Sequence, residues 1–390
     1  MELEIGRGKT ARQAYGFDDI AIVPSRRTRD PRDVDITWSF TFKGKDFNFS
    51  LPVLASAMDG VVDPAFAVEL GRLGGLAVLN LEGIQTRYED PSPQLDAIAS
   101  FEKEDATRRM QEIYTEPVKP ELITERVKQI KDGGVIAAAS LTPQNVERYI
   151  EPALAGGLDV LIIQGTVISA EHVSSYDKPL DLNAFVHDLE IPAILGGCCS
   201  YQGALHLMRA GAIGVLVGVG PGHACTSRRV LGIGVPQCTA IADAAAARMR
   251  HLDETGIYAH VIADGGMRTG GDLAKAIAVG ADAIMIGSPL ASAAEAPGRG
   301  YHWGMATFHP DLPRGTRVRA GVKGTLQDIL LGPAHENDGT LNLLGGLRTS
   351  MATCGYENLK QFQKAEVMVA PALQTEGKVL QQSQGVGMGR

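Results

Sequence analysis

Cysteine is scarce and unpatterned in this chain. There are five (Cys198, Cys199, Cys225, Cys238 and Cys354), an odd number with no Cys-x-x-Cys among them. That argues against a structural zinc site or a disulfide framework. No apolar run reaches the roughly 18 residues a membrane helix needs. The opening stretch, Met1-Glu-Leu-Glu-Ile-Gly-Arg7, is charged and unlike a secretory leader, so a cytoplasmic protein with reduced thiols is expected. Positive charge is also short: 37 Lys and Arg against 45 Asp and Glu give a formal net charge of −8. Nucleic acid and anionic membranes are therefore poor candidates for partners.

Glycine, by contrast, is plentiful, with 46 residues that cluster after apolar runs. Eight such runs occur, at Leu51–Ser56, Leu76–Asn80, Val135–Ser140, Asp159–Gly165, Ile191–Gly197, Ile213–Gly218, His260–Gly265 and Asp282–Gly287. Near-continuous apolar runs of this length fit parallel strands buried on both faces. Helical patterns lie between most of them, at Pro64–Leu73, Pro120–Lys131, Pro143–Ala155, Tyr201–Ala210, Gln237–Glu254 and Gly271–Val279. Alternation of this kind predicts an α/β fold, a (β/α)8 TIM barrel, with a doubly wound open sheet as the alternative. One catalytic domain is expected over 1–372. Its barrel strands would fill 51–287, and a flap and C-terminal segment 297–372, before a Gln- and Gly-rich tail at 373–390 that reads as disordered. The segment 86–131 is charged and reads as a long solvated helix or an oligomer contact.

Barrel active sites lie at the C-terminal ends of the strands. The sixth run leads into Gly218-Val-Gly-Pro-Gly-His-Ala-Cys-Thr-Ser-Arg228, which presents Cys225 at the end of a glycine-rich loop as a candidate nucleophile. Ser227, two residues on, faces the same side as the thiol if the segment is extended, and is either a proton relay or a helix cap. Asp264-Gly265-Gly266 follows the seventh run and Gly287-Ser288 the eighth. Loops at these two positions commonly hold phosphate, and a carboxylate beside them suits a ribose diol, so together they read as a 5′-nucleotide site. Glu295 follows in Ala-Ala-Glu-Ala-Pro-Gly, either to polarise a hydroxyl such as Ser227 or as a first-turn helix carboxylate.

These motifs together resemble the IMP dehydrogenase / GMP reductase family, over Gly16 to about Phe362. The likeness includes Gly16-Phe-Asp-Asp19, Ser56-Ala-Met-Asp59, the cysteine loop continuing into Gly232-Ile-Gly-Val-Pro-Gln237, Ala263-Asp-Gly-Gly-Met-Arg-Thr-Gly-Gly271, Gly280–Ser288, Glu295-Ala-Pro-Gly298, Gly304-Met305 and Leu344-Gly-Gly-Leu-Arg348. The resemblance implies that Cys225 attacks purine C2 to form a thioimidate. Ser56 and Met58 would line the nucleotide pocket, and Gly304 and Met305 would touch the purine. Asp264 would hold the ribose, and Gly266, Gly287 and Ser288 the phosphate, with Gly265 and His223 beside them. It also implies a nicotinamide cofactor near Gln164, Gly165 and Thr166, and a monovalent cation such as K+ on the carbonyls of Gly220, Gly222 and Cys225. A homotetramer is the usual assembly of the family, an octamer the alternative.

Two family reactions share the thioimidate. The gap between the second and third runs is too short for the paired CBS (Bateman) motifs typical of the dehydrogenases. The stretch Ala306–Arg319 lacks the Arg-Tyr pair of their flap, leaving Arg314, Arg317 or Arg319 as substitutes. Reductases use a hydroxyl two after the cysteine with a glutamate after the eighth strand, and Ser227 and Glu295 occupy those places. The family usually has Thr where Ser227 stands, Ser where His223 stands, and Asp where Gln164 stands. Gln164 both donates and accepts, and its neutrality favours a phosphate-bearing cofactor. The sequence expectation is thus an NADPH-dependent GMP reductase that converts GMP to IMP and ammonia. An NAD-dependent IMP dehydrogenase is the runner-up, and a non-catalytic purine nucleotide sensor the third reading.

Overall fold

The computed structural model describes residues 2–175, 179–370 and 378–387. Eight parallel strands close into a barrel in sequence order. They are β1 (Val53–Ala55), β2 (Leu76–Asn80), β3 (Ala138–Leu141), β4 (Val160–Gln164), β5 (Ala193–Cys198), β6 (Gly214–Val217), β7 (His260–Asp264) and β8 (Ala283–Ile286). The last strand returns to the first, with Ile284 beside Val53 and Ile286 beside Ala55. Each predicted run holds its strand, except that β3 and β5 extend one residue further, to Leu141 and Cys198, and the open sheet is excluded by this closure.

The surrounding helices are α1 (Pro64–Leu73), α2 (Pro120–Asp132), α3 (Val146–Ala155), α4 (Leu182–Asp188), α5 (Tyr201–Arg209), α6 (Gln237–Thr255), α7 (Gly270–Ala278) and α8 (Leu343–Thr353). Their ends follow local chemistry. Asp63 accepts the Phe66 N–H at 2.7 Å to start α1, with Pro64 in the first turn and Gly74 ending it. Thr269 and Asp272 form a reciprocal capping box at the start of α7. The third helix begins at Val146 rather than Pro143, because Thr142–Asn145 forms a turn closed by Asn145 N–H on the Thr142 carbonyl.

Inside the barrel, side chains alternate inward and outward along each strand. Leu54, Val78, Ala138, Ile162, Ile194, Leu216, Ile262 and Met285 fill the interior together. An antiparallel hairpin, Trp38–Phe42 with Lys45–Phe49, joins this core through Trp38, Phe40, Phe47 and Phe49. Its alternating Trp-Ser-Phe-Thr-Phe pattern turns one aromatic face onto the barrel's N-terminal end, where the Trp38 indole N–H meets His260 Nδ1 at 3.1 Å. A second short pairing, Ile20–Ile22 with Val367–Val369, joins the two ends of the domain.

The segment after β2 is not one solvated helix. It folds into two short helices, Ser92–Ser100 and Ala106–Ile113, before α2. Leu95, Ile98, Met110 and Tyr114 bury against Trp303, with Tyr301 and Phe308 alongside. Apolar residues at helical spacing needed a partner surface, and the segment beyond β8 supplies it. In the tail read as disordered, 373–377 and 388–390 lie outside the described residues, and Val379–Gln384 forms a short helix. Among the described residues no helix is long and apolar enough to cross a membrane.

Candidate active site

Counting two residues on from the apolar interior reaches the C-terminal mouth of the barrel. There Ser56, Asn80, Gln164, Gly218, Asp264 and Gly287 all line one cavity of about 690 Å³. Inward positions that are apolar halfway along the strands become polar or glycine one pleat later. That volume suits a nucleotide-sized ligand.

Two of these glycines make room for neighbours. A Cβ at Gly218 would run into the Asp264 carbonyl, and one at Gly287 would sit 2.7 Å from the Met58 sulfur. Gln237 ties the same strand ends together, donating to the carbonyls of Val217 at 2.7 Å and Asp264 at 3.0 Å. The Asp264 carboxylate has one side-chain donor, Gln164 Nε2 at 3.3 Å, and burial pushes its pKa up to about 7. Gln164 Oε1 is buried without a hydrogen-bond partner. Gly165 and Thr166 continue the wall from Gln164.

Cys225 lines this cavity at the end of its loop. Its thiol lies 3.2 Å from Ser227 Oγ, positioned to donate to it. Ser227 is fully buried and starts a short helix, Ser227–Leu231, so the contact comes from a helix start rather than from an extended strand. Arg228 fastens the loop by donating to the carbonyls of Val219 and Val235. The chain beyond β8 then crosses the loop: Thr226 N–H donates to Arg314 at 3.0 Å and Thr316 N–H to Ala224 at 2.8 Å, so Cys225 pairs with Gly315 in an antiparallel bridge. The four other cysteines lie outside the cavity lining. Burial pushes the thiols of Cys198 and Cys238 up to about 12 and also raises Cys199 and Cys354.

At the loops after β7 and β8, Ser288 Oγ sits between two imidazoles, 3.0 Å from His223 Nδ1 and 2.9 Å from His302 Nε2. Gly265, Gly266, Gly304 and Met305 complete this side, and Met58 faces it from the loop after β1. His302, Arg314 and Asn80 are cavity residues that the motifs alone did not assign. Their signals were faint: a histidine just before Gly304-Met305, one of three flap arginines, and a polar residue closing an apolar run.

The structure does not bring Glu295 to the thiol. It is exposed, and its carboxylate accepts the Leu326 N–H at 2.8 Å. Ala294 N–H binds the Gly324 carbonyl, and this pairing turns the chain away from the cavity. The carbonyls of Gly220 and Gly222 belong to residues of the cavity wall, but that of Gly222 already accepts Cys225 N–H. No cluster of three or more His, Cys, Asp or Glu able to hold a metal occurs among the described residues.

A barrel with a cysteine loop after β6 and a nucleotide-sized cavity over β7 and β8 defines a class, and comparison with known proteins agrees. Residues 14–379 match the model for the IMP dehydrogenase / GMP reductase domain. The chain belongs to the IMP dehydrogenase / GMP reductase family. An uncharacterized oxidoreductase of Mycolicibacterium smegmatis is 48% identical over 376 residues, covering 94% of this chain and 99% of that protein. The crystal structure of an IMP dehydrogenase/GMP reductase-like protein from Corynebacterium glutamicum superposes with a TM-score of 0.89 at 43% identity, covering 95% and 98% of the two chains. The inosine-5′-monophosphate dehydrogenase of Methanocaldococcus jannaschii is 26% identical, covering 94% and 95%.

Proposed function

We propose that this oxidoreductase oxidises IMP to XMP, with NAD as hydride acceptor. The observation that carries this is Arg314. Arg314 lines the cavity with Nε buried and without a hydrogen-bond partner and Nη1 donating to the Leu312 carbonyl at 3.0 Å, while its own carbonyl holds Thr226 beside the nucleophile. Arg317 is instead committed to the carbonyls of Ile98 and Phe101, and Arg319 is exposed. A reductase reading needs Ser227 and Glu295 to act together, and Glu295 is engaged elsewhere. The name of the archaeal relative supports the same choice.

In this reading the Cys225 sulfur adds to C2 of hypoxanthine, and Ser227 relays the thiol proton, accepting it at Oγ as it gives up its own toward solvent, which is the proton the overall reaction releases. A bound nicotinamide supplies the site that accepts the C2 hydride. The buried free Oε1 of Gln164 fits its carboxamide as an acceptor for the amide N–H. Water then adds to C2 of the thioimidate and the C–S bond breaks, with one of the water's protons going to N3 of the purine and the other to sulfur through Ser227. Arg314 holds that water and stabilises the negative charge that develops as it adds. Asp264 accepts hydrogen bonds from the ribose diol. Gly266, Gly287 and Ser288 surround the phosphate, and Gly304 and Met305 lie against the purine. The loop carbonyls of Gly220 and Cys225 suit K+, the tetramer carries over as the assembly, and a cytoplasmic location fits free thiols.

The test is to incubate the protein with IMP and NAD, and separately with GMP and NADPH. XMP and NADH in the first are expected, and should vanish in Cys225→Ala. Arg314→Gln should still form the covalent adduct, visible by intact mass, but release XMP at least tenfold more slowly. NADPH oxidation by GMP without XMP formation from IMP would overturn the proposal. That outcome is the second reading, and the Cys225–Ser227 contact favours it.

A further inference from the structure

His302 is not assigned by any family motif quoted above, yet it is 1% exposed, lines the cavity and leaves Nδ1 without a partner. Its Nε2 and the Nδ1 of His223 reach the same hydroxyl, Ser288 Oγ. One hydroxyl proton serves only one of the two nitrogens. The other contact requires an N–H on an imidazole, so the three side chains already form a directional proton chain. Burial keeps the free pair neutral, with His223 adding to the effect at His302. The His302 pKa falls to about 4 through burial and then His223, and that of His223 is lowered by burial and then by Arg268, against a smaller opposing pull from Asp272. Such a pair offers a dianion too few N–H donors until a proton arrives.

We propose that the His223–Ser288–His302 chain takes up a proton when the 5′-phosphate of a purine nucleotide binds, and that this protonation selects the monophosphate over the nucleoside. The proposal rests on the nucleotide reading of the cavity. The dianion supplies the charge that the buried His302 and the more exposed His223 lack, and the protonated pair then donates to phosphate oxygens directly from His223 and through Ser288 from His302. The gating is intrinsic to the pocket: affinity follows proton activity, so Kd for IMP should rise by up to about tenfold per pH unit above neutrality.

Calorimetric titration of the whole protein with IMP at pH 7.5, in two buffers of different ionisation enthalpy, counts the protons exchanged. The nucleotide's own phosphate, with a second pKa of about 6, is already almost fully dianionic there. An uptake of about half to one proton per IMP is expected, by analogy with a histidine moved across neutrality. His302→Gln and His223→Gln should each at least halve it. Because Asp264 is unchanged in both variants, any proton it exchanges cancels in the comparison. A merely structural role for either histidine would change affinity without changing the proton count. His223 is exposed, so its variant keeps the test open if His302→Gln does not fold. Tight IMP binding with no uptake, or an uptake unchanged in the variants, overturns the proposal and leaves the nucleotide site standing. Failure of wild-type protein to bind IMP, GMP or XMP overturns the nucleotide reading, and this proposal with it.

Discussion

Two aspartates in adjacent strand segments sit at opposite ends of the barrel, and the protein treats them oppositely. Asp282, just before β8 at the N-terminal end, is 2% exposed and accepts from Arg248 at 2.9 Å, Tyr258 at 2.8 Å, Val261 N–H at 2.8 Å and Gln363 at 2.8 Å, with Lys360 also paired to it. Burial alone would raise its carboxyl, but Arg248 and Lys360 prevail and hold it at about 2. Asp264, at the C-terminal end of β7, has one side-chain donor, at 3.3 Å, and is raised to about 7. A carboxylate fully satisfied by its own chain belongs to the fold. One left short of donors in a cavity wall has acceptor capacity open to a ligand, which is the role proposed above for Asp264.

Removing the satisfied member should have the largest effect. Asp282→Ala leaves Arg248 buried with no counter-charge and should cost about 3–5 kcal/mol. Urea denaturation reads this as a fall in the midpoint, while kcat/KM per folded molecule stays within about twofold. An equal loss of activity and stability would break the contrast.

The pH dependence of stability separates the pair by sign. Asp282 titrates lower folded than unfolded, so its contribution is full above the unfolded carboxylate range near 4. It is lost as pH falls from there through about 2, an effect of about 2–3 kcal/mol. Asp264 does the reverse. Between about 4 and 7 the unfolded chain ionises it while the folded chain keeps it protonated, so it lowers stability as pH rises through that window. Unfolding curves from pH 2 to 8 should therefore flatten below 4 in Asp282→Asn and between 4 and 7 in Asp264→Asn.

At the mouth, Asp264→Asn should raise the urea midpoint at pH 7, because a carboxylate that burial makes costly to ionise is removed from the interior. Nucleotide affinity should fall about 10- to 100-fold, matching the 1.5–3 kcal/mol of hydrogen bonds to a charged group. Calorimetric titration with IMP measures it.

The same two ends differ in how far they were legible in the sequence. Barrel strands announce themselves because burial on both faces leaves almost no polar residue within a run, and the mouth could be found by following each run to its glycine or polar terminus. Asp264, Gln164 and Cys225 were readable for that reason. His302 and Arg314 were not singled out, because the chain beyond β8 has no period and its contacts are distant: Trp303 donates to Tyr114, 189 residues away. Glu295 was placed by adjacency to β8, and a pairing with Gly324 redirected it. At the closed end, the Trp38–Phe49 hairpin carried its own signal, period-two aromatics around Lys43-Gly44, but nothing local says that a hairpin will plug a barrel.

That plug supplies the smallest effect and the cleanest boundary between the two ends. Burial lowers His260 to about 4, so its imidazole is neutral at pH 7, and Nδ1 accepts the Trp38 indole N–H. Trp38→Phe keeps an aromatic ring against Phe40 and Phe49 but removes this donor, leaving a buried lone pair unmatched. The cost should be about 1 kcal/mol, the net worth of one neutral hydrogen bond. It should appear as a small fall in Tm with KM for IMP unaltered. The hydrogen bond lies at the start of β7 and Asp264 at its end, so a change in nucleotide affinity would mean that strand β7 transmits strain along its length, and the two ends would no longer be separable.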